Sequence, residues 1–327
     1  MPHTKTNRKD KRRIRTRAVF LSLLVLLAAL AGLLLYMRVC AAVVHIRRAT
    51  VWFEDLPVGF DGTKILYLTD FDLHDAKAPA AATSMMRELQ DLAPDILLLG
   101  GDYASPSWLD ALGEARSEGT DQSDLLLRRA RFLSDLNAFE APLGKYAAIG
   151  GADIDEEMLQ IVLRQGGVQL LADSGAVVRK GESAIGIVGI REAGSRSRNL
   201  QSLSRQATQS DFVIVLAHDP EYIPAIQTAE ARDGGGWADL ILCGDTHGGQ
   251  IRLGSWSPFP LGEVARRYLC GWFREGKTVL LTSAGIGCQW IDLRLGTRAE
   301  AHLITLRRGA PPGSGEAPTL PLATWTP

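Results

Sequence analysis

Short apolar runs alternate with amphipathic segments over most of the chain, and this pattern predicts an α/β fold. KILYLTD, ILLLGGD, SAIGIVGI, FVIVLAH and ADLILCG are typical of buried strands, whereas TSMMRELQDLAP and EEMLQIVLRQGG have helical spacing. Strands that read as continuous apolar runs are covered on both faces. The runs TVLLTSA, QWIDLRL and AHLITLR near the C-terminus predict three further β segments and an added antiparallel portion.

One apolar stretch differs from the others in length. Residues 18–37 contain no charged side chain, and twenty residues suffice to cross a hydrocarbon core of roughly 30 Å as a helix. We therefore predict a transmembrane anchor at residues 18–38. A cleaved signal peptide is the alternative, but its apolar region is normally shorter, and the segment MRVCAAVVH offers no small-x-small cleavage site.

The charge of the chain is unevenly distributed around this stretch. Residues 1–17 carry eight Lys or Arg and one Asp, a net charge of +7, so the remainder carries −8 against a total of −1. Basic residues flank membrane spans on the cytoplasmic side, which predicts a single-pass protein of the cytoplasmic membrane with its main domain outside the cytoplasm. Nucleic-acid binding is not expected, because the basic arm adjoins the span and the rest is acidic.

These features divide the chain into five predicted parts. They are a basic cytoplasmic arm at 1–17, the anchor at 18–38, a stalk and first strand at 39–62, the main domain at 63–308, and a Pro/Gly-rich disordered tail at 309–327. The sequence gives no indication of the oligomeric state.

Polar side chains follow five of the predicted strands, at the point where each strand ends. They are Asp70, Asp72 and His74, then Asp102, Asp153 and His218, and finally Asp245 and His247. Ligands of α/β sheets gather outside the carboxyl ends of the strands, so we expect these side chains to lie close together. Carboxylates and imidazoles at one edge repel one another or stay unpaired unless a cation lies between them. For any single residue, a solvated cap remains the simpler interpretation.

The polar blocks resemble, in order and spacing, the motifs of the calcineurin-like metallophosphoesterases, and especially the membrane-anchored bacterial branch. The blocks of that family are Asp-x-His, Gly-Asp, Gly-Asn-His-Asp or -Glu, an isolated His, and Gly-His-x-His. This chain reads TDFDLHD, GGDY, GGAD, AHDPE and GDTHGGQ at the corresponding places. The resemblance covers roughly residues 50–308 and implies a β-sandwich flanked by helices, an αββα arrangement, preceded by one transmembrane helix.

The chain departs from the family motifs at three blocks. In the first, an ungapped register places Asp70 and Asp72 on Asp-x-His, whereas a shift by two places Asp72 and His74 there; we prefer the ungapped register. In the third, Gly151 and Ala152 replace the Asn and His. In the last, Asp245 replaces the first His.

The resemblance implies one or two divalent metal ions that hold a hydroxide in line with a phosphate ester. Asp102 is the implied bridging ligand. The first metal takes Asp70, Asp72 (or His74) and His247, and the second takes His218 and Asp245. Because aspartates replace histidines, the site is rich in oxygen and favours hard ions, so we expect Mn²⁺ ahead of Fe, Zn²⁺ or Mg²⁺.

The histidine that assists the leaving group in the family is absent, since Ala152 stands at its position. A positioned acid or base is worth about 10²–10⁴-fold in rate. Asp153 and His74 are the nearest residues in sequence that could act as the catalytic acid or base. We expect phosphodiesters or pyrophosphates with good leaving groups, or a slow reaction.

Two functions remain open from the sequence. The first is a metal-dependent phosphoesterase on the outer face of the cytoplasmic membrane, whose partners are a phosphate-ester substrate and the membrane. The second is a non-catalytic, metallophosphoesterase-like binding module of the cell envelope. Gly151 and Ala152 favour the second, and the retained Asp102, His218 and His247 favour the first.

Overall fold

The structure is a computed structural model that describes residues 8–73, 78–105, 122–153, 155–191, 200–207, 210–231, 234–254, 256–259 and 261–311. The predicted catalytic residue His74 lies outside the described residues. So do residues 1–7 of the predicted basic arm and residues 312–327 of the predicted tail.

The described residues form alternating strands and helices, as the apolar pattern predicts. The helices are α1 (Arg8–Ala42), α2 (Ala78–Gln90), α3 (Gln122–Asp135), α4 (Glu156–Gln165), α5 (Leu200–Ala207), α6 (Ile223–Thr228) and α7 (Glu263–Arg267). The first six strands are β1 (His45–Phe53), β2 (Lys64–Leu68), β3 (Ile96–Leu99), β4 (Lys145–Ala147), β5 (Gln169–Leu170) and β6 (Ser174–Lys180). The others are β7 (Ser183–Ile190), β8 (Val213–Ala217), β9 (Leu240–Cys243), β10 (Gly271–Glu275), β11 (Thr278–Thr282) and β12 (Glu300–Arg308).

The strands form two six-stranded sheets. The first has the order β1-β12-β2-β3-β4-β5 and the second β10-β11-β9-β8-β7-β6. Strands β2 to β5 run parallel, as do β7, β8, β9 and β11. Antiparallel pairs are β12 with β2, β6 with β7, and β10 with β11. The parallel strands of each sheet therefore deliver their carboxyl ends to one edge.

The two sheets pack face to face around an apolar core. Ile65, Leu98, Ile187, Ile214 and Leu242 are among the fully buried side chains of this layer, and they come from both sheets. Each lies in a strand that is apolar at nearly every position, because its other face is covered as well.

Helices cover the outer face of each sheet. Helices α2, α3 and α4 pack on the first sheet through residues such as Met86, Phe132 and Leu159. Helices α5 and α6 pack on the second sheet through residues such as Leu203 and Ile226. The predicted helix-flanked β-sandwich is confirmed.

Helix α1 contains a stretch, Arg15–Ala42, that is long and apolar enough to cross a membrane. Its last turns contact the folded domain directly. The backbone N–H of Arg294 donates to the carbonyl of Met37 (3.1 Å), and Arg38 forms an ion pair with Asp292 (3.4 Å). Strand β1 begins three residues after the helix and pairs in parallel with β12 over its whole length.

The prediction of a β segment at QWIDLRL, residues 289–295, is wrong. This segment is a loop that forms no strand, with isolated bridge positions at Trp290 and Leu295, of which Leu295 pairs with Ile251. Arg294 explains the difference, because its fully buried guanidinium donates hydrogen bonds to carbonyl groups of several loops. An extended strand would carry this side chain out of reach of those carbonyls.

Candidate metal centre

The predicted ligands converge at the carboxyl ends of four strands from both sheets. Asp70 follows β2, Asp102 follows β3, and His218 comes directly after β8. Asp245 follows β9, and His247 begins a short 3₁₀ turn, His247–Gly249. The packing of the two sheets brings these strand ends together. The five side chains named above and Asp72 therefore form one cluster of six, although they come from distant parts of the sequence.

His218 lies at the centre of the first half of this cluster. Its Nε2 atom is 3.2 Å from Asp102 Oδ2 and 3.9 Å from both Asp70 Oδ1 and Asp245 Oδ1. Its other ring nitrogen, Nδ1, is 2.9 Å from the carbonyl oxygen of Gly100. Because a carbonyl only accepts, Nδ1 carries a proton in either charge state, and when the ring is neutral Nε2 has a lone pair for a metal.

His247 forms the second half of the cluster with two aspartates. Its Nε2 atom is 3.5 Å from Asp70 Oδ1 and 3.4 Å from Asp72 Oδ2. Asp70 Oδ1 therefore lies between the two imidazoles. Asp72 thus lies near His247 and Asp245 near His218, and the assignment of these residues to two metals stays a prediction. Ligand atoms of Asp70, Asp102 and His218 all lie within 4.8 Å of one another.

The cluster is largely closed to solvent. The side chains of Asp70 and His218 are fully buried, and those of Asp72 and His247 nearly so. Asp70 Oδ2 and Asp72 Oδ2 accept no well-formed hydrogen bond from the described residues. Asp245, whose side chain is 37% exposed, is the most open to solvent, and the side chain of Asp102 is 12% exposed. Buried carboxylate oxygens without a donor are costly unless a cation compensates them.

Without a metal, burial and mutual repulsion disfavour the ionised form of three of the four carboxylates. Burial, together with the charges of Asp102 and Asp245, raises the pKa of Asp70 to about 7, although His218 opposes the shift. Burial and the same neighbouring aspartate, Asp102, raise the pKa of Asp72 well above its usual range. Burial also raises the pKa of Asp245 to about 6. A positive charge inside the cluster would reverse these shifts.

Asp102 is the exception among the four carboxylates. Burial acts to raise its pKa, but the charge and hydrogen bond of His218, and the backbone N–H of Ala152, outweigh burial and lower the pKa. The Ala152 N–H donates to Asp102 Oδ1 at 2.8 Å, while Oδ2 faces His218. Asp102 therefore stays ionised in the cluster at neutral pH.

The donor set fits divalent cations. Four carboxylates carry four negative charges when ionised, and no ion pair of the described residues joins any of them to a Lys or Arg. Two divalent ions would balance these charges, and one would balance half of them. Four carboxylates with two imidazoles form an oxygen-rich set that suits hard or borderline ions.

The backbone is held in an uncommon conformation at five of the six residues of the cluster. Asp70, Asp72, Asp102, Asp245 and His247 have positive φ values between 44° and 66°. The left-handed region costs most L residues about 1–2 kcal/mol, although Asp tolerates it better than others. Such conformations concentrate at functional sites, where surrounding structure enforces them.

Glycines pack against the carboxylates and leave room for them. Gly285 has φ +74°, and a Cβ there would lie 2.6 Å from the Cβ of Asp70. A Cβ on Gly150 would collide with Asp102 Oδ1. The residues that shape the site therefore include backbone segments of loops 150–153 and 283–287, whose sequences carry no ligand.

The carboxylate of Asp153, which is predicted as a catalytic acid or base, is bound by backbone N–H groups beside Asp102. Its carboxylate accepts hydrogen bonds from the backbone N–H groups of Asp102 (2.8 Å), Tyr103 (3.1 Å) and Gly150 (3.0 Å). Its Oδ1 is also 3.9 Å from Arg129 Nη1, and its side chain is fully buried. Burial raises its pKa to about 6, with the charge of Asp102 in the same direction. These contacts bind two loops together and favour a positioning role.

The two substituted positions of the third motif lie beside Asp102. Gly151 is exposed, and Ala152 is partly buried with its backbone bound to Asp102. Neither position has a side chain beyond the methyl group of Ala152. The loss of the motif side chains is therefore a local change in an otherwise assembled site.

Arg294 is a residue of the site that the sequence did not reveal. Its Nη2 donates to the carbonyls of Ala284 and Gly287, both at 2.6 Å, and its Nη1 donates to the carbonyl of His247 at 3.2 Å. It thereby joins the loop of one candidate ligand to the glycine loop behind Asp70. The one feature of the sequence that could have indicated its role is a single Arg within an otherwise β-like run.

Some of the known proteins with similar sequences are named as metallophosphoesterases or phosphodiesterases. The uncharacterized metallophosphoesterase YkuE of Bacillus subtilis is 22% identical over 256 residues, covering 77% of this chain and 82% of YkuE. The phosphodiesterase YaeI of Escherichia coli is 27% identical over 270 residues, covering 80% of this chain and 87% of YaeI.

A third relative, the uncharacterized protein YpbG of Bacillus subtilis, is 25% identical over 239 residues, which is 73% of this chain and 81% of YpbG. No protein-family model matches the chain. The homologues named metallophosphoesterase and phosphodiesterase confirm the resemblance that the motifs indicate.

Proposed function

We propose that this chain, a homologue of the metallophosphoesterases, is a divalent-metal-dependent phosphodiesterase attached to the outer face of the cytoplasmic membrane. The observation that carries the proposal is the buried cluster itself. His218 lies 3.2–3.9 Å from three of the four carboxylates and His247 lies 3.4–3.5 Å from two, and no Lys or Arg pairs with the carboxylates among the described residues. A folded protein tolerates such a cluster when a cation occupies it.

The residues that would hold the metal divide into two groups. Asp70, Asp72 and His247 form one, and Asp102, His218 and Asp245 form the other, with Asp70 Oδ1 between the imidazoles. A divalent cation bound there supplies positive charge that stabilises the attacking and leaving oxygens of a phosphoryl displacement. Asp245, the most exposed of the six, marks the side from which a substrate approaches.

The missing acid determines which esters are good substrates. Ala152 has no proton to donate, and Asp153 is occupied by three backbone N–H groups. His74 lies outside the described residues, so its part in proton transfer remains a prediction. Esters whose leaving group departs without a proton, such as aryl phosphodiesters and pyrophosphates, are therefore the expected substrates.

The binding-module alternative rests on the same loop. Gly151 and Ala152 remove two motif side chains beside Asp102 while the rest of the cluster persists. A protein with this loop would bind metal and phosphate esters without turning them over. The two functions differ in turnover and agree in metal binding, so they are separable by experiment.

The decisive experiment uses the full chain in detergent. Bound metal is measured, and hydrolysis of bis(p-nitrophenyl) phosphate is followed with added Mn²⁺. We expect turnover that falls at least about 10²-fold in Asp102→Asn. Asp91→Asn, an exposed aspartate at the end of α2, is the control and should leave activity unchanged. Metal binding without turnover would support the binding module, and no metal binding would refute both functions.

The topology needs its own test. A reporter that is active only outside the cytoplasm, fused to the C-terminus of the full chain, should be active and recovered with membranes. A control fusion with two lysines inserted into α1 should lose membrane recovery. An inactive fusion, together with activity of a second reporter that works only in the cytoplasm, would contradict the proposed outer-face position.

A further inference from the structure

We infer that the substrate is a lipid-linked phosphate ester whose hydrocarbon chain lies in an apolar groove between the end of α1 and α2. This inference deepens the proposed function and rests on it, since it assigns a substrate class to the same site. It is carried by three observations: the position of the groove, the chemistry of its lining, and the way the domain is fixed to the membrane helix.

The groove has a volume of about 630 Å³ and begins where the membrane helix ends. Ala41, Ala42 and the following segment 43–46 line one side, and α2 lines the other through residues such as Ala81 and Met85. Residues 18–42 make about 37 Å of helix at 1.5 Å per residue, slightly more than the hydrocarbon core of roughly 30 Å. The last turn of α1 therefore lies where lipid chains meet the headgroups, and the groove opens at that level.

The lining of the groove is apolar and lacks a counter-charge for an anion. Nearly all of its side chains are aliphatic or aromatic, and Ser84 and Glu88 are its only polar members among the described residues. Val43 and Ile46, at its entrance, are 49% and 42% exposed. Such a lining accommodates a hydrocarbon chain and would repel a nucleotide or a sugar.

The floor of the groove is the other face of the segment that carries the ligands. Phe71 and Leu73 line the groove, whereas Asp70 and Asp72 extend into the metal cluster. Ile286 also lines it, and its N–H donates to the carbonyl of Thr69 at 3.1 Å. The groove and the cluster therefore lie on opposite faces of one backbone segment, so a lipid whose chain occupies the groove carries its phosphate close to the cluster.

The domain is fixed at the membrane end of α1. The Met37 and Cys40 side chains are buried against the domain, and the Met37 carbonyl accepts the Arg294 N–H. Beside the Arg38–Asp292 ion pair, Trp290 is 56% exposed and Ile291 37% exposed. Exposed Trp next to a span is typical of the membrane interface. The lipid source for the groove is therefore the bilayer that holds α1.

Photo-crosslinking tests occupancy of the groove without any need for activity. The full chain is reconstituted in phosphatidylcholine vesicles that contain a phosphatidylcholine with a diazirine in one acyl chain. We expect adducts at residues 41–46 and 81–89 in addition to the span. Ala81→Trp, which fills the groove from an exposed position of α2, should remove the adducts at 41–46. Ala80→Trp, on the exposed neighbouring position outside the groove, should retain them.

A kinetic test addresses the substrate. Methyl p-nitrophenyl phosphate and hexadecyl p-nitrophenyl phosphate share a leaving group and differ only in the alkyl chain. In vesicles, Ala81→Trp should lower the ratio of kcat/KM for the hexadecyl over the methyl ester at least about tenfold, and Ala80→Trp should leave that ratio unchanged. Thermal unfolding of both variants checks that α2 stays folded.

The outcomes separate the two proposals. Hydrolysis of both esters with an unchanged ratio in Ala81→Trp would refute the lipid groove and leave the phosphodiesterase intact. Adducts at 41–46 without hydrolysis of either ester would refute the phosphodiesterase and support a lipid site. Adducts in the span alone would mean that another segment of the chain fills the groove, which overturns the inference.

Discussion

The backbone N–H of Ala152 donates a hydrogen bond of 2.8 Å to Oδ1 of Asp102, at the position where the family motif has a histidine. Ala152 is partly buried, and this hydrogen bond holds its backbone beside a candidate metal ligand. This loop therefore holds its backbone in place although the side chain that assists the leaving group is gone. Restoring that side chain is a direct test of what its loss has done.

We predict that Ala152→His extends the activity to poor leaving groups. A histidine there can protonate an alkoxide as it departs, and a positioned acid contributes about 10²–10⁴-fold. The rate with methyl phosphodiesters of aliphatic alcohols should rise by that order, whereas the rate with p-nitrophenyl esters should change little. Ala152→Gln, of similar size without a titratable group, is the control. An equal gain in both variants would argue against acid catalysis.

We predict that metal binding releases protons near neutral pH. Burial and neighbouring charges raise the pKa of Asp70 to about 7 and burial raises that of Asp245 to about 6 in the metal-free protein. A metal requires both carboxylates ionised, so affinity should weaken as pH falls through these values and level off above them. Calorimetric titration of Mn²⁺ at about pH 6.5 in buffers of different ionisation enthalpy measures the release. A heat independent of buffer would contradict the prediction.

The sequence could predict those candidate ligands whose positions follow from the strand order of the sheets. Asp102, His218 and Asp245 each follow an apolar run, and parallel strands place such residues at one edge. Arg294 was missed because its run reads as a strand, and only the tertiary fold turns it inward. The hydrogen bonds that the Asp153 carboxylate accepts from three backbone N–H groups were not predicted, since proximity in sequence to a motif does not show which way a carboxylate points; its catalytic role stays a prediction.

The groove could not be predicted from sequence patterns either, because it also depends on tertiary packing. The apolar residues of α2 and of segment 43–46 each read as ordinary core positions, and the span reads as an independent anchor. Their juxtaposition depends on the Met37–Arg294 contact, which joins residues more than two hundred positions apart. Such a contact is set by packing of the whole domain.

We predict that Asp70→Asn stabilises the metal-free protein while it weakens metal binding. The folded pKa of Asp70 is about 7 against an ordinary value of 3.8, so the unfolded chain loses its proton first and wild-type stability falls as pH rises between these values. The neutral amide avoids this loss, worth up to about 4 kcal/mol at pH 8. Its Oδ1 can still accept the Asp245 N–H.

Chelator-treated samples should show the difference in thermal unfolding. At about pH 8 the Asp70→Asn variant should unfold at a higher temperature than wild type, and the difference should vanish at about pH 3, below the ordinary pKa of 3.8, where the side chain is neutral in both the folded and the unfolded state. A variant less stable than wild type at pH 8 would show that the ionised Asp70 is compensated within the protein itself.

We predict that Arg294→Lys disrupts the metal centre from a distance. The guanidinium joins the carbonyls of Ala284, Gly287 and His247, and a single ammonium cannot reach all of them. Hydrogen bonds from charged donors contribute about 1.5–3 kcal/mol each, so we expect a loss of at least about 3 kcal/mol in the free energy of unfolding. The His247 turn and the glycine loop behind Asp70 should also separate.

Two measurements distinguish this positioning role from a general loss of fold. Denaturant unfolding gives the change in stability, and Mn²⁺ titration below the unfolding transition gives the change in affinity. We expect the affinity of folded Arg294→Lys to fall at least about tenfold, because the ligands on two loops lose their common support. Arg267→Lys, an exposed arginine paired with Glu275 on the second sheet, is the matched control and should alter neither quantity. Unchanged affinity in Arg294→Lys would limit this residue to stabilising the fold.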